Sequence, residues 1–136
     1  MKKKSILCYG DSNTFGYRPM DSQRYPYGIR WTSLLAENLG EDFRVIEAGL
    51  NSRTTVIDDD LEKDRNGWKC IDVVMEMNWP LDLVILMLGT NDMKVRYQAE
   101  AVDIAEGAPP PPSGDTPRLD AADSPGFSVA DRGKTP

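Results

Sequence analysis

Histidine is absent from the 136 residues. Imidazole is the side chain that ordinarily changes charge near neutral pH, so the common serine–histidine pairing cannot be assembled from these residues. Cysteine is scarce. Cys8 and Cys70 both fall in apolar segments and are expected as small reduced core residues rather than a disulfide. Positive charge is also outweighed, with 16 Lys and Arg against 22 Asp and Glu and a net charge of -6. That balance excludes a general nucleic-acid binder, which would carry a basic face. No apolar run approaches the roughly 18 residues of a membrane-spanning helix. The opening "MKKKSILCYG" carries the charge of an export signal, but its apolar stretch halts before Asp11. A secretory signal needs roughly 7 to 15 apolar residues there. The expectation is a cytoplasmic protein with neither a membrane nor a nucleic acid as partner.

What is present has a regular order. Residues 5–9, "SILCY", read as a strand ending at Gly10. "GIRWTSLLAENLG" places Trp31, Leu34, Leu35 and Leu39 on one helical face, with Gly40 as a left-handed cap. A second strand is expected over 43–47, then a polar loop, then a helix over 68–78. Asn66 caps that helix, Trp68, Ile71, Val74 and Met75 face inward, and Pro80 forbids its continuation. "LDLVILML", 81–88, is an almost unbroken apolar strand, the pattern of a strand covered on both faces. A further helix starts within 94–106. The order β-α-β-α-β-α predicts an α/β domain with a parallel sheet between helical layers.

Past Gly107 the composition changes. The stretch 108–136 holds seven of the ten prolines, and its large apolar residues are Leu119, Phe127 and Val129. It buries too little to offset the entropy of ordering it, so a disordered tail is expected after a domain spanning 1–107. Prolines 109–112 suit a local polyproline II segment.

In parallel sheets of this kind, functional groups gather at the carboxyl ends of strands. Three loops lie there. "GDSNTFG" is not a P-loop, since no Lys-Ser or Lys-Thr pair follows. Nor is it the G-x-S-x-G elbow, because Thr14 replaces the second glycine. Ser12 lies near a helix start and is either a nucleophile or that helix's cap. Gly49, in "EAGLNSRTT", is either a turn glycine or a backbone N–H that a substrate can approach. Asn91, in "LGTND", is either an Asx-turn residue or a side-chain donor to an oxyanion. Together they offer one hydroxyl and two uncharged donors, a set suited to acyl transfer.

"GDSN", the glycine of "EAGLNSRTT" and "GTND" resemble, in order and separation, the first three blocks of the SGNH, or GDSL, hydrolases. "RWTSLLAENLG", "RVIEAGLNSRTT" and "LDLVILMLGTNDMK" resemble the arylesterase-like branch of that family, and the likeness covers about residues 4–107. The resemblance implies a flavodoxin-like three-layer sandwich. It implies hydrolysis of carboxylic esters, with acyl transfer to other alcohols as a second outcome, on a small ester substrate. It also implies Ser12 as nucleophile, and as oxyanion donors the backbone N–H groups of Ser12 and Gly49 with the Asn91 side chain. No cofactor and no metal are implied.

The family's fourth block, D-x-x-H, carries its base histidine and the partner aspartate, and it has no counterpart here. The later strands are missing as well, so the sheet is expected to be truncated to about three strands and catalysis to be impaired. An ester-binding module without catalysis is the alternative. Lys94 is a weaker candidate base, since a lysine must be desolvated to lose its proton near neutral pH. Asp11 and Asp92 are expected to bond to backbone N–H groups in their own turns, and the acidic run 58–60 to be a solvated loop. The third strand, lacking its usual neighbour, is expected to expose an edge through which copies associate into homo-oligomers.

Overall fold

The computed structural model describes residues 2–105 and 127–131. In chain order the elements are β1 (Lys4–Gly10), α1 (Ser12–Phe15), β2 (Tyr17–Arg18), β3 (Gln23–Arg24), α2 (Trp31–Leu39), β4 (Phe43–Gly49), α3 (Gly67–Met77), β5 (Leu83–Met87), α4 (Ala101–Ala105) and β6 (Phe127–Asp131). Two 3₁₀ turns, Asn91–Met93 and Val95–Tyr97, separate β5 from α4, which starts at Ala101, within the stretch 94–106 where a helix is expected.

The main sheet has the order β4-β1-β5-β6. β1 is central and pairs in parallel with β4 and with β5, which gives the three parallel strands expected. Strand periodicity sorts their side chains onto two faces. One face presents Leu7 and Tyr9 of β1, Ile46 and Ala48 of β4, and Val84 and Leu86 of β5, and packs against Ile71, Met75, Trp68 and Val74 of α3. Full burial of an aliphatic or aromatic side chain of this size is worth about 1.5–3 kcal/mol, so this cluster is the main source of cohesion. Asn66 caps α3 by accepting from Lys69 N at 3.3 Å.

α2 covers the other face, and not as its periodicity predicts. Leu34 is 43% exposed, while Thr32 and Ser33 are buried. Burial of these hydroxyls is tolerated because both are bonded. Thr32 donates to the Glu47 carboxylate on β4, and Ser33 accepts from Gly28 N and donates to Arg30 O. Arg30 pairs with Glu47 at 3.2 Å. Gly40 ends α2 with φ 78°, but its ψ of -165° lies outside the left-handed helical basin. Cys8 is buried beneath this layer, whereas Cys70 is half-buried at the surface of α3, and both are free thiols.

β5 is only partly covered on both faces. Val84 is buried, but Leu83, Ile85, Leu86 and Met87 are half-buried. Its outer edge, which the sequence leaves without a neighbour, carries β6, paired antiparallel from Leu83 opposite Asp131 to Met87 opposite Phe127. These five residues belong to the stretch whose composition predicts no structure. The open ladder of β5 supplies backbone hydrogen-bond partners that composition cannot register. The rest of the proline-rich stretch, with prolines 109–112, lies outside the described residues.

Candidate active site

The three parallel strands end at one level. Gly10 of β1 stands opposite Gly49 of β4 and opposite Met87 of β5. From β1 the chain moves to β4 on one side and then crosses to β5 on the other. Strand order therefore reverses at the tip of β1, where such sheets open a crevice for a ligand.

Ser12 is the first residue of α1, and Asp11 is its cap: the Asp11 carboxylate accepts from Asn13 N at 2.9 Å. Capping therefore does not account for Ser12. Its side chain is half-buried and its hydroxyl has no hydrogen-bond partner among the described residues. Burial raises the Asp11 carboxyl above its ordinary range, against the lowering effect of the Asn13 bonds. The turn that presents Ser12 depends on Gly10. A methyl group there would lie 2.1 Å from Thr14 Oγ1 and 2.9 Å from Met87 O. The Thr14 hydroxyl itself is buried without a partner among the described residues.

Gly49 lets α1 settle onto β4. A methyl group on it would lie 2.1 Å from Phe15 N and 2.5 Å from the carbonyl carbon of Thr14. Leu50 N donates to Gly10 O at 3.1 Å. Successive N–H groups of a strand point to opposite edges, so the Gly49 N–H faces away from β1. β4 is an edge strand of this sheet, and no ladder bond takes up that donor.

Asn91 does not form an Asx-turn. Its Nδ2 donates to the carbonyl of Arg53 at 3.0 Å, across to the loop after β4. An amide nitrogen carries two protons, so one remains for another acceptor. Asp92 is buried beside it and likewise bonds outside its own turn. Its carboxylate accepts from Thr55 N at 2.9 Å and from the Thr55 hydroxyl. Asp11 is the one of the two aspartates that follows the local pattern. Lys94, between the two 3₁₀ turns, is half-buried, and no hydrogen bond joins it to Ser12 among the described residues.

Arg53 has no counterpart among the sequence-derived candidates. It is 6% exposed. Its Nη1 donates to Gly10 O at 2.8 Å and to Ala48 O at 2.6 Å, and its guanidinium lies over the Tyr9 ring, 3.9 Å from the centroid. Tyr9 is held in place by a 2.6 Å bond from its hydroxyl to Gly67 O. Burial lowers the Arg53 pKa and raises that of Tyr9. Arginine is ordinarily a surface residue, so its place in "NSRTT" gives no hint of burial.

In the acidic run 58–60, Asp58 and Asp60 are exposed, as a solvated loop requires, but Asp58 and Asp59 also carry side-chain partners. Asp58 bonds Lys69 Nζ at 2.7 Å. Asp59 accepts from the Tyr97 hydroxyl and from Arg96, and the Tyr97 bond is the main cause holding its carboxyl well below the usual range. The Asp58 contact ties the loop after β4 to α3, and the Asp59 contacts bind it to the loop after β5; these are the two loops that carry Arg53 and Asn91.

A half-exposed serine at a helix start, with a fixed amide at a neighbouring strand tip, suits attack on a carbonyl whose oxygen becomes negative, whereas the outward-facing Gly49 N–H does not join them. No match is found among curated proteins. The fold is similar to that of the native aryl esterase of M. smegmatis, with a TM-score of 0.74 and 46% identity, over 76% of this chain and 50% of that one. It is similar to a carbohydrate acetylesterase from Sinorhizobium meliloti, with a TM-score of 0.75 and 43% identity, over 77% and 51%. A more distant likeness, with a TM-score of 0.52 and 28% identity, links it to an esterase of the SGNH-hydrolase family over 68% and 43%. The chain thus spans about half the length of the esterases it matches. The profile of the GDSL-like Lipase/Acylhydrolase family matches residues 8–122, reaching into the proline-rich stretch. By the extent of that match, the chain belongs to the GDSL-like lipase/acylhydrolase family.

Proposed function

We propose that this chain carries the nucleophile and the oxyanion donors of a serine ester hydrolase acting on small carboxylic esters. The observation that carries the reading is the register that sets Gly10 opposite both Gly49 and Met87, so that Ser12, Gly49 and Asn91 leave the sheet at one level. In the proposed step, the Ser12 Oγ lone pair attacks the ester carbonyl carbon and the hydroxyl proton passes to a base. The carbonyl oxygen takes the charge and is met by the Ser12 N–H and by Asn91 Nδ2, while the Gly49 N–H, which faces away from β1, is not one of the donors. Collapse expels the alcohol and leaves an acyl-serine that water hydrolyses. Likeness to a carbohydrate acetylesterase favours a short acyl group.

The 136 residues contain no histidine to serve as that base. Serine hydrolases that lose a triad member retain roughly 10³–10⁴-fold over water from binding and the oxyanion site. Turnover by these residues alone is therefore slow. The same absence favours a second reading, an ester-binding module that does not turn substrate over. The two free thiols, Cys8 and Cys70, support a reducing compartment such as the cytoplasm.

A fluorophosphonate probe tests the site. Slow labelling of the full chain that disappears in Ser12→Ala supports the hydrolase reading. Equal labelling of both chains, or labelling at another residue, overturns it. Absence of labelling with retained, Asn91-dependent binding of a short ester selects the binding module.

A further inference from the structure

Asp92 is 1% exposed, and no cation pairs with its carboxylate among the described residues. A buried carboxylate is costly unless its oxygens are hydrogen-bonded. Both are bonded, and both to one residue. Oδ1 accepts from Thr55 N at 2.9 Å, and Oδ2 accepts from the Thr55 hydroxyl. Thr55 is itself a fixed point. Its carbonyl accepts from Trp68 N at 2.8 Å, and the Thr54 carbonyl accepts from Gly67 N at 3.0 Å, so the segment rests on the first turn of α3. A methyl group on Gly67 would lie 2.5 Å from the Thr54 carbonyl oxygen, which measures how closely the two pack.

Asn91 precedes Asp92 in a 3₁₀ turn of three residues. The backbone bonds of that turn run from Met93 N to Thr90 O at 3.4 Å and from Lys94 N to Asn91 O at 3.1 Å. Hydrogen-bond geometry in so short a 3₁₀ turn is poor, and it holds its residues weakly. The Asn91 amide has one tie of its own, from Nδ2 to Arg53 O, and a single bond is a pivot. The grip of Asp92 on Thr55 removes the pivot. The attachments leave adjacent residues of one loop and land on residues 53 and 55 of the other, which fixes both the place and the direction of the amide.

We propose that Asp92 is the positioning residue of the Asn91 amide, with Thr55 as its anchor on α3. The inference rests on the reading of Asn91 as an oxyanion donor. The Asp92 carboxylate is turned to Thr55 and shut from solvent, so its action on the site passes through Asn91. A donor whose support is itself bonded to a rigid element keeps the geometry that charge stabilisation requires.

The test uses the full chain, the variants Thr55→Val, Thr55→Ser and Asp92→Ala, nitrogen relaxation by NMR and a fluorophosphonate probe. Thr55→Val removes one tie without changing the charge, and Thr55→Ser keeps the hydroxyl. In ligand-free protein, the order parameter of the Asn91 side-chain amide is expected to fall in Thr55→Val, to fall further in Asp92→Ala and to match the parent in Thr55→Ser. The Asn78 side-chain amide, bonded to Val74 O at the far end of α3, is expected to keep its parent value throughout. Labelling of Ser12 is expected to slow about tenfold in Thr55→Val, less than complete loss of an oxyanion donor costs. Added to Asn91→Ala, the same substitution is expected to slow labelling no further.

A residue that only stabilises the fold would loosen the Asn78 and Asn91 amides alike, or slow labelling equally with and without Asn91. Either result overturns the proposal, as does an unchanged Asn91 order parameter. If Asp92→Ala does not fold, the two Thr55 variants decide. Should Ser12 of the parent chain take no label, the hydrolase reading fails, and the Asn91 order parameters alone decide whether Asp92 positions that amide.

Discussion

Asn91 donates a 3.0 Å hydrogen bond from its side chain to the main-chain carbonyl of Arg53. The two residues lie at the ends of different strands, and the bond joins the loop after β4 to the loop after β5. Thr55 and Asp92 repeat the link one step away, with the Asp92 carboxylate accepting from Thr55 N at 2.9 Å. Paired ties of this kind fix an amide against rotation, which is what a donor must have if it is to meet charge without reorganising.

Gly49→Ala is expected to destabilise the fold by about 1–3 kcal/mol, the usual cost of overpacking a tight contact. The added methyl would meet Phe15 N at 2.1 Å, and the obstruction is backbone, which cannot swing aside. Urea denaturation measures the loss. An unchanged midpoint would mean that α1 does not rest on β4 as described.

The two thiols are expected to separate sharply in reactivity. Burial, and to a lesser degree Glu47, pushes the Cys8 thiol up to about 12, while Cys70 is half-buried near the surface of α3. Ellman titration of native protein at pH 8 is expected to count one thiol, and two in denaturant. The same shift makes a stability prediction. The folded pKa lies above the ordinary value of 9.0, so the unfolded chain loses its proton first. Stability is retained below about pH 9 and falls as pH rises towards 12. The Tyr9 hydroxyl, also raised by burial, acts in the same direction. A urea midpoint that holds steady between pH 8 and pH 11 would contradict both assignments.

Removal of residues 127–136 is expected to uncover the outer edge of β5, where β6 pairs along Leu83 to Met87. An open apolar edge recruits other strands. Sedimentation velocity is expected to show more self-association in the shortened chain than in the full one. Equal distributions would show that β6 does not protect this edge.

Much of the framework was legible in the residues themselves. Alternating and unbroken apolar runs marked β1, β4 and β5, and the 3.6-residue spacing of Trp68, Ile71, Val74 and Met75 identified the inner face of α3. α2 was misjudged at Leu34, because periodicity cannot tell that Thr32 and Ser33 would find partners in Glu47, Gly28 and Arg30. β6 was missed because its reason for ordering lies in another strand, not in its own composition.

The sequence by itself determined the three strand-tip loops and named Ser12, Gly49 and Asn91 within them, since glycine, serine and asparagine at such turns are local chemistry. Only the tertiary structure decided which atoms hold those residues. Arg53 reaches back to Gly10 and Ala48, and forward through its carbonyl to Asn91, by contacts that span up to 43 positions of the chain. Contacts at that range depend on parallel register and on which strand lies at the centre, and neither is written in any short stretch of residues.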